Sequence, residues 1–167
     1  DAYTPDGRPD MRPEYPSIVY TQILKKLYPD VPVVLGGIEA SMRRLSHYDY
    51  WQDRLKKSIL CESGADMLIY GMGEKPICEL VCRLTALCDN QDGVISSSDI
   101  HSPALSSIPQ TAYLTRKYES DENDITLYSH EECLADKKKQ ATNFRHIEEE
   151  SNKYAAARIV QAVDGKT

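Results

Sequence analysis

The 167 residues hold one phenylalanine and one tryptophan, and no apolar run approaches the roughly 20 residues a membrane-spanning helix requires. Bilayer spanning by a helix is thereby excluded. No secretory leader is expected either, since the chain opens on Asp1 and a polar, proline-rich stretch. The five cysteines are odd in number and lack an export context, which favours reduced thiols and a cytoplasmic setting. No dinucleotide fingerprint GxGxxG, phosphate-binding loop, HExxH helix or nucleophile elbow occurs. A net charge of −6 argues against a general nucleic-acid binder. No initiator methionine is present, so a processed protein or a piece of a longer one is expected.

What is there is a soluble composition with local punctuation. Residues 1–16 carry Pro5, Pro9, Pro13 and Pro16 with Gly7 and predict an extended arm, because proline fixes φ and biases its predecessor away from the helix. Ser17 is positioned to cap a helix to about Tyr28, with Ile18, Val19, Ile23, Leu24 and Leu27 at helical spacing. Val31 to Leu35 is a short β-branched run, suited to a parallel strand buried on both faces. Gly36 and Gly37 end it. A second apolar strand, Met67 to Tyr70, ends likewise in Gly71-Met72-Gly73-Glu74, and a helix follows with Ile77, Leu80, Val81, Leu84 and Cys88 on its stripe. Strand, glycine turn and helix thus occur twice. The fold class expected is α/β: a partial doubly wound, Rossmann-like parallel sheet with helices on both faces.

Leu35 to Trp51, LGGIEASMRRLSHYDYW, is the densest concentration of chemistry. It is either a ligand-facing loop or a strand-to-helix turn whose aromatics pack inward, and Ala40 to Leu60 reads as a helix broken near His47 to Tyr50. Candidate ligand-facing residues are Gly36, Gly37, Glu39, Arg43, Arg44, His47, Tyr48 and Asp49, with Gly71, Gly73 and Glu74 from the second turn. His47 with Asp49 has the chemistry of a metal ligand pair or an acid–base pair, against a hydrogen-bonded structural histidine. Arg43, Arg44, Arg54, Lys56 and Lys57 form a basic stripe that would meet RNA or a protein partner, or else be a solvated helix face.

Downstream, Asp89 to Pro109 reads as a polar loop. Thr111–Thr115 and Ile125–Tyr128 predict an antiparallel hairpin, and Ser129 with Glu132 predicts a capping box on one long helix reaching about Lys153. A last strand, Arg158 to Val163, leads into Asp164-Gly165. The expected organisation is an arm over 1–16, an α/β domain over 17–110, and a hairpin, helix and strand appendage over 111–167. Cys78, Cys82 and Cys88 are spaced C-x3-C-x5-C within the helix predicted after the second glycine turn. A helix cannot curl three thiolates round a cluster, so buried structural thiols are the reading, and no metal site is assigned.

The segments DAYTPDGRPDMRPEYPSIVYTQI, VPVVLGGIEASMRRLSHYDYWQDRLKKSIL and SGADMLIYGMGEKPI closely resemble the YgiQ-type radical SAM proteins, as do IPQTAYLTRKY and the final RIVQAV. The resemblance implies a longer parent with a C-terminal radical SAM barrel as same-chain partner, holding a [4Fe-4S] cluster on a C-x3-C-x2-C loop and cleaving S-adenosylmethionine. That cysteine motif is absent here, so the chain looks like the region preceding the barrel, with no catalytic residue of its own and no cofactor expected in it. A broader similarity, through Val33–Ser41 and Ala65–Glu74, is to cobalamin-binding domains. Their DxHxxG cobalt-ligand motif has no counterpart here, which argues against cobalamin. The readings carried forward are an accessory domain of a radical SAM enzyme, a docking module using the basic stripe, and a vestigial or actual cobalamin domain.

Overall fold

A computed structural model of the chain describes residues 4–88, 95–116 and 118–164. These divide into two compact units, one of residues 1–44 and 58–113, the other of residues 45–57 and 114–167.

In the first unit, α1 (Pro16–Leu27) precedes β1 (Val34–Leu35), α2 (Gly37–Met42), α3 (Ile59–Ser63), β4 (Met67–Ile69), α4 (Glu74–Cys88) and β5 (Thr111–Ala112); β2 and β3 belong to the other unit. Proline opens α1 at its first turn, where the missing N–H costs nothing. Ser17 does not cap it: the N-cap is Tyr15, without a side-chain hydrogen bond, and the Ser17 hydroxyl is used elsewhere. The sheet order is β1-β4-β5, with β1 parallel and β5 antiparallel to β4. The α/β class is therefore realised as a small mixed sheet with one parallel pair. All three residues of β4 are buried, as a central strand's apolar run requires.

The core beneath that sheet gathers Met67, Ile69, Leu80, Leu84, Ile100, Leu105 and Ile108. Three of these come from the segment expected to be a polar loop; its residues 89–94 lie outside the described residues. Asp66 ties the two parallel strands at their entry: its carboxylate accepts the Val33 N–H at 2.7 Å and the Lys25 ammonium at 2.9 Å. Lys25 also donates to Ser97 Oγ at 2.7 Å, binding the end of α1 to the segment after the undescribed stretch.

The second unit holds the hairpin β2 (His47–Asp49) and β3 (Arg54–Lys56), then β6 (Ile125–Thr126), α5 (His130–Ala135), α6 (Lys137–Ser151) and β7 (Ile159–Val160). Further expectations fail here and in the first unit. The helix over Ala40 to Leu60 is instead α2, the β2–β3 hairpin and α3. The strands near 111 and 125 form no hairpin: β5 pairs with β4, and β6 pairs in parallel with β7. The long helix is broken at Asp136, whose extended backbone (φ −142°, ψ 110°) ends α5 and whose side chain caps α6 through the Lys138 N–H. On α4, Leu80 and Leu84 of the expected stripe are buried together with Pro76, whereas Ile77 and Val81 are exposed, as are Cys78 and Cys82. The thiols Cys78 and Cys82 are exposed rather than buried, and the Cys88 side chain lies outside the described residues.

The capping box of α5 is as expected, with Glu132 N–H donating to Ser129 Oγ at 3.1 Å and Ser129 N–H to Glu132 Oε2 at 3.0 Å. Among the described residues, no helix is long and apolar enough to cross a membrane.

Candidate functional site

The two glycine turns of the first unit are neighbours because β1 and β4 are paired in parallel, so their carboxyl ends open on one edge. β1 runs through Gly36 into α2, with Gly37 at φ +83°. β4 runs through Tyr70 and Gly71 into α4. Ser41 joins the turns: its Oγ donates to Gly37 O at 2.8 Å and accepts from the Gly71 N–H at 3.3 Å. Gly71 sits at φ +71°, a backbone conformation that strains any residue with a side chain, and a Cβ there would come within 2.9 Å of Gln110 Nε2, the flexible end of that side chain, which would have to shift.

The charged candidates of this unit are engaged with one another. Glu39 accepts from Ser17 Oγ at 2.5 Å and from Arg43 Nη1 at 3.1 Å. The Arg43 guanidinium lies 4.8 Å from the centre of the Tyr15 ring, and that of Arg44 lies 4.8 Å from the Tyr70 ring while donating to Ser41 O at 2.7 Å. These contacts brace α2 against α1 and against the residue that leads out of β4. Around them Ile38 (85% exposed), Met42 (72%) and Met72 (75%) present apolar side chains to solvent, and Glu74 is exposed at the start of α4. The surface at the strand ends is thus an apolar rim over a braced polar turn.

His47, Tyr48 and Asp49 lie in the second unit, on β2. The buried Asp49 carboxylate accepts the Gln52 N–H at 3.0 Å and shapes the hairpin turn. His47 Nδ1 lies 3.1 Å from Leu45 O. The Tyr48 hydroxyl donates to Asp53, and that carboxylate beside it pushes the phenol pKa up. Tyr50 and Trp51 are exposed and stack edge to face at 5.8 Å.

Within the basic stripe, Arg43 and Arg44 belong to the first unit and Arg54, Lys56 and Lys57 to the second. Arg43 pairs with Glu39, Lys57 pairs with Asp164, and Lys56 is buried. Among the described residues, no group of three or more His, Cys, Asp and Glu side chains is placed to hold a metal ion. Cys78 and Cys82 stand on an exposed helical face, Cys61 is half-buried, and Cys133 is buried with its thiol pushed up by desolvation. These thiols do not fit an iron–sulfur cluster, which needs several thiolates converging from a loop.

Sequence reading missed Tyr15, Ser17, Ser41, Tyr70 and Gln110 as parts of the turn. Local pattern does not mark them, because Ser41 reaches Gly71, Gln110 reaches Tyr70, and Tyr15 and Ser17 reach α2 across sequence gaps.

A family model described as Radical SAM N-terminal matches residues 1–167. The chain is 70% identical over 168 residues to a UPF0313 protein of Bacteroides thetaiotaomicron, covering 99% of this chain and 27% of that protein. Against a UPF0313 protein of Porphyromonas gingivalis the identity is 59%, over 100% of this chain and 25% of the relative. A UPF0313 protein of Geobacter sulfurreducens is 40% identical over 100% of this chain and 26% of its own length. The chain spans about a quarter of the length of these relatives. No solved structure matches it. With every residue inside the matching model and identities this high, the chain belongs to the radical SAM N-terminal family.

Proposed function

We propose that this chain is the accessory α/β region of a longer radical SAM protein and performs no chemistry by itself. The observation that carries this reading is the pair of glycine turns, closed against each other through Ser41 and rimmed by Ile38, Met42 and Met72, at the carboxyl edge of the parallel pair. In open α/β sheets that edge is where ligands and partner elements are received.

On this reading Gly36, Gly37, Glu39, Arg43, Arg44, Gly71, Gly73 and Glu74 form the surface turned toward the radical SAM domain of the same polypeptide. Glu39, Arg43 and Arg44 give that surface its shape rather than free charges. When bound in the parent protein, a [4Fe-4S] cluster and S-adenosylmethionine would supply radical chemistry, and neither is held by residues of this chain. His47, Tyr48 and Asp49 act as a structural hairpin in their own unit. The setting is cytoplasmic, where thiols such as Cys78 and Cys82 stay reduced.

The test is made in the full-length protein. Ile38→Glu alters the exposed rim without touching packing, and Arg43→Ala removes the brace on Glu39. Both are expected to lower the rate of reductive S-adenosylmethionine cleavage by about tenfold, equivalent to roughly 1.4 kcal/mol, at unchanged iron and sulfide content. Wild-type rates in both variants would overturn the reading.

A further inference from the structure

The sheet of the first unit is unfinished on one side. β1 is an edge strand, paired with β4 alone among the described residues. In a parallel ladder alternate residues turn both backbone groups to the same neighbour. Val33 O accepts the Asp66 N–H at 3.0 Å, so Val33 and Leu35 face β4 and the Val34 N–H and C=O face the open side. Natural edges are blunted by charge, by bulges or by cover. From Val31 to Ile38 this one carries no charged residue.

Beside that edge runs an apolar groove of about 290 Å³ lined by Leu24, Tyr28, Val31, Pro32, Val33 and Val34. Leu24 and Tyr28 on its α1 side are 44% and 58% exposed, and Val31 is 53% exposed. An open backbone edge and an adjoining uncovered apolar groove are two independent features of one missing neighbour. The direction of approach is set by α1. A helix that feeds a strand of a parallel pair is ordinarily the crossover of a βαβ unit, which starts from a parallel strand in the same sheet. No described strand precedes α1. The relatives extend over about four times the length of this chain, so ample polypeptide exists to supply one.

We infer that β1 receives a further parallel strand from a segment of the same polypeptide lying before Asp1, and that this segment's side chains fill the groove between α1 and β1. The added strand bonds to Val34, buries Leu24, Tyr28 and Val31, and makes β1 an interior strand. This is separate from the reading of the glycine turns and stands or falls without it.

The experiment uses the full-length polypeptide that carries this chain. The photo-crosslinker benzoylphenylalanine replaces Tyr28, an exposed position that accepts an aromatic ring, and mass spectrometry reads where it attaches. Amide hydrogen exchange is followed at Val34 in the same protein, with its mass checked by light scattering. Attachment to residues before Asp1 in a monomer, with the Val34 amide slowed by about a hundredfold or more against an open strand, is the expected result. Attachment beyond Thr167, attachment to a second copy, attachment confined to residues 1–167, or fast exchange at Val34 would each overturn the proposal.

Discussion

The two units are held together by different physics. The first buries Met67, Leu68, Ile69, Leu80, Ile100, Leu105 and Ile108, an apolar core that draws its stability from area removed from water. The second buries Ser46, Asp49, Lys56, His130, Asn143, Glu150 and Gln161 alongside only a few apolar side chains. There, Gln161 accepts the Ser46 N–H at 2.9 Å and donates to Tyr128 O at 3.0 Å. Asn143 accepts the Tyr128 N–H at 2.9 Å and donates to Tyr128 O at 2.9 Å and to Cys133 Sγ at 3.1 Å. An apolar core is non-directional and tolerates a change of shape at constant volume. A buried polar network is directional, and each group left over carries its full desolvation cost.

The largest effect belongs to the apolar unit. Leu80 is 2% exposed, and Leu80→Ala should destabilise by about 3 kcal/mol, the transfer term plus the cavity left behind. Urea denaturation of the variant measures it. The comparison sharpens when volume is kept. Leu80→Met should cost less than about 1.5 kcal/mol. Asn143→Leu, also near-isosteric and at a site 1% exposed, should cost about 2 kcal/mol because the Tyr128 N–H loses its acceptor while its carbonyl keeps Gln161. Equal losses for the two swaps would break the distinction between the units.

That same distinction explains what the amino-acid sequence revealed. β1, β4 and their glycine turns were legible because short β-branched or apolar runs ending in glycine are local signals, and the Ser129–Glu132 box was legible because both partners sit within one turn. The polar unit was not. Ser46, Gln161 and Asn143 act across gaps of up to 115 residues, and nothing near any of them in the chain announces a partner. The β2–β3 hairpin was read only as a break near His47 to Tyr50 in a longer helix, because three-residue strands give too short a period-two pattern to compete with the helical spacing around them. β5 and β6 were individually legible but wrongly joined, since pairing is decided by tertiary context. At the candidate site the glycines were found, whereas the mutual pairing of Glu39 and Arg43 with Ser17 and Tyr15 depends on how α1 lies against α2, which local pattern does not encode. Isoleucines at 100 and 108 and Leu105 were hidden in a segment whose serines and aspartates resemble a solvated loop.

The smallest expected effect separates the units by pH. His130 is buried at the first position of α5, with Nδ1 3.0 Å from Ser46 Oγ. Burial, the main cause, and the Lys57 charge hold its pKa below the ordinary histidine value, while Glu131 and Asp164 pull it partly back. The backbone N–H groups at the start of α5 also disfavour a second ring proton. The sign follows from linkage: the unfolded chain takes up the proton first, so the stability His130 contributes is full above about pH 6.5 and is lost as pH falls through its lower folded value. Asp124, held far below the ordinary carboxylate range chiefly by hydrogen bonds from Arg158, loses its contribution only as pH falls below about 4. Thermal midpoints taken between about pH 7 and pH 5 should therefore fall in the wild type and stay more nearly level in His130→Gln, whose amide can still meet Ser46. Parallel profiles for the two proteins would show that the buried histidine is not what makes the polar unit sensitive to mild acid.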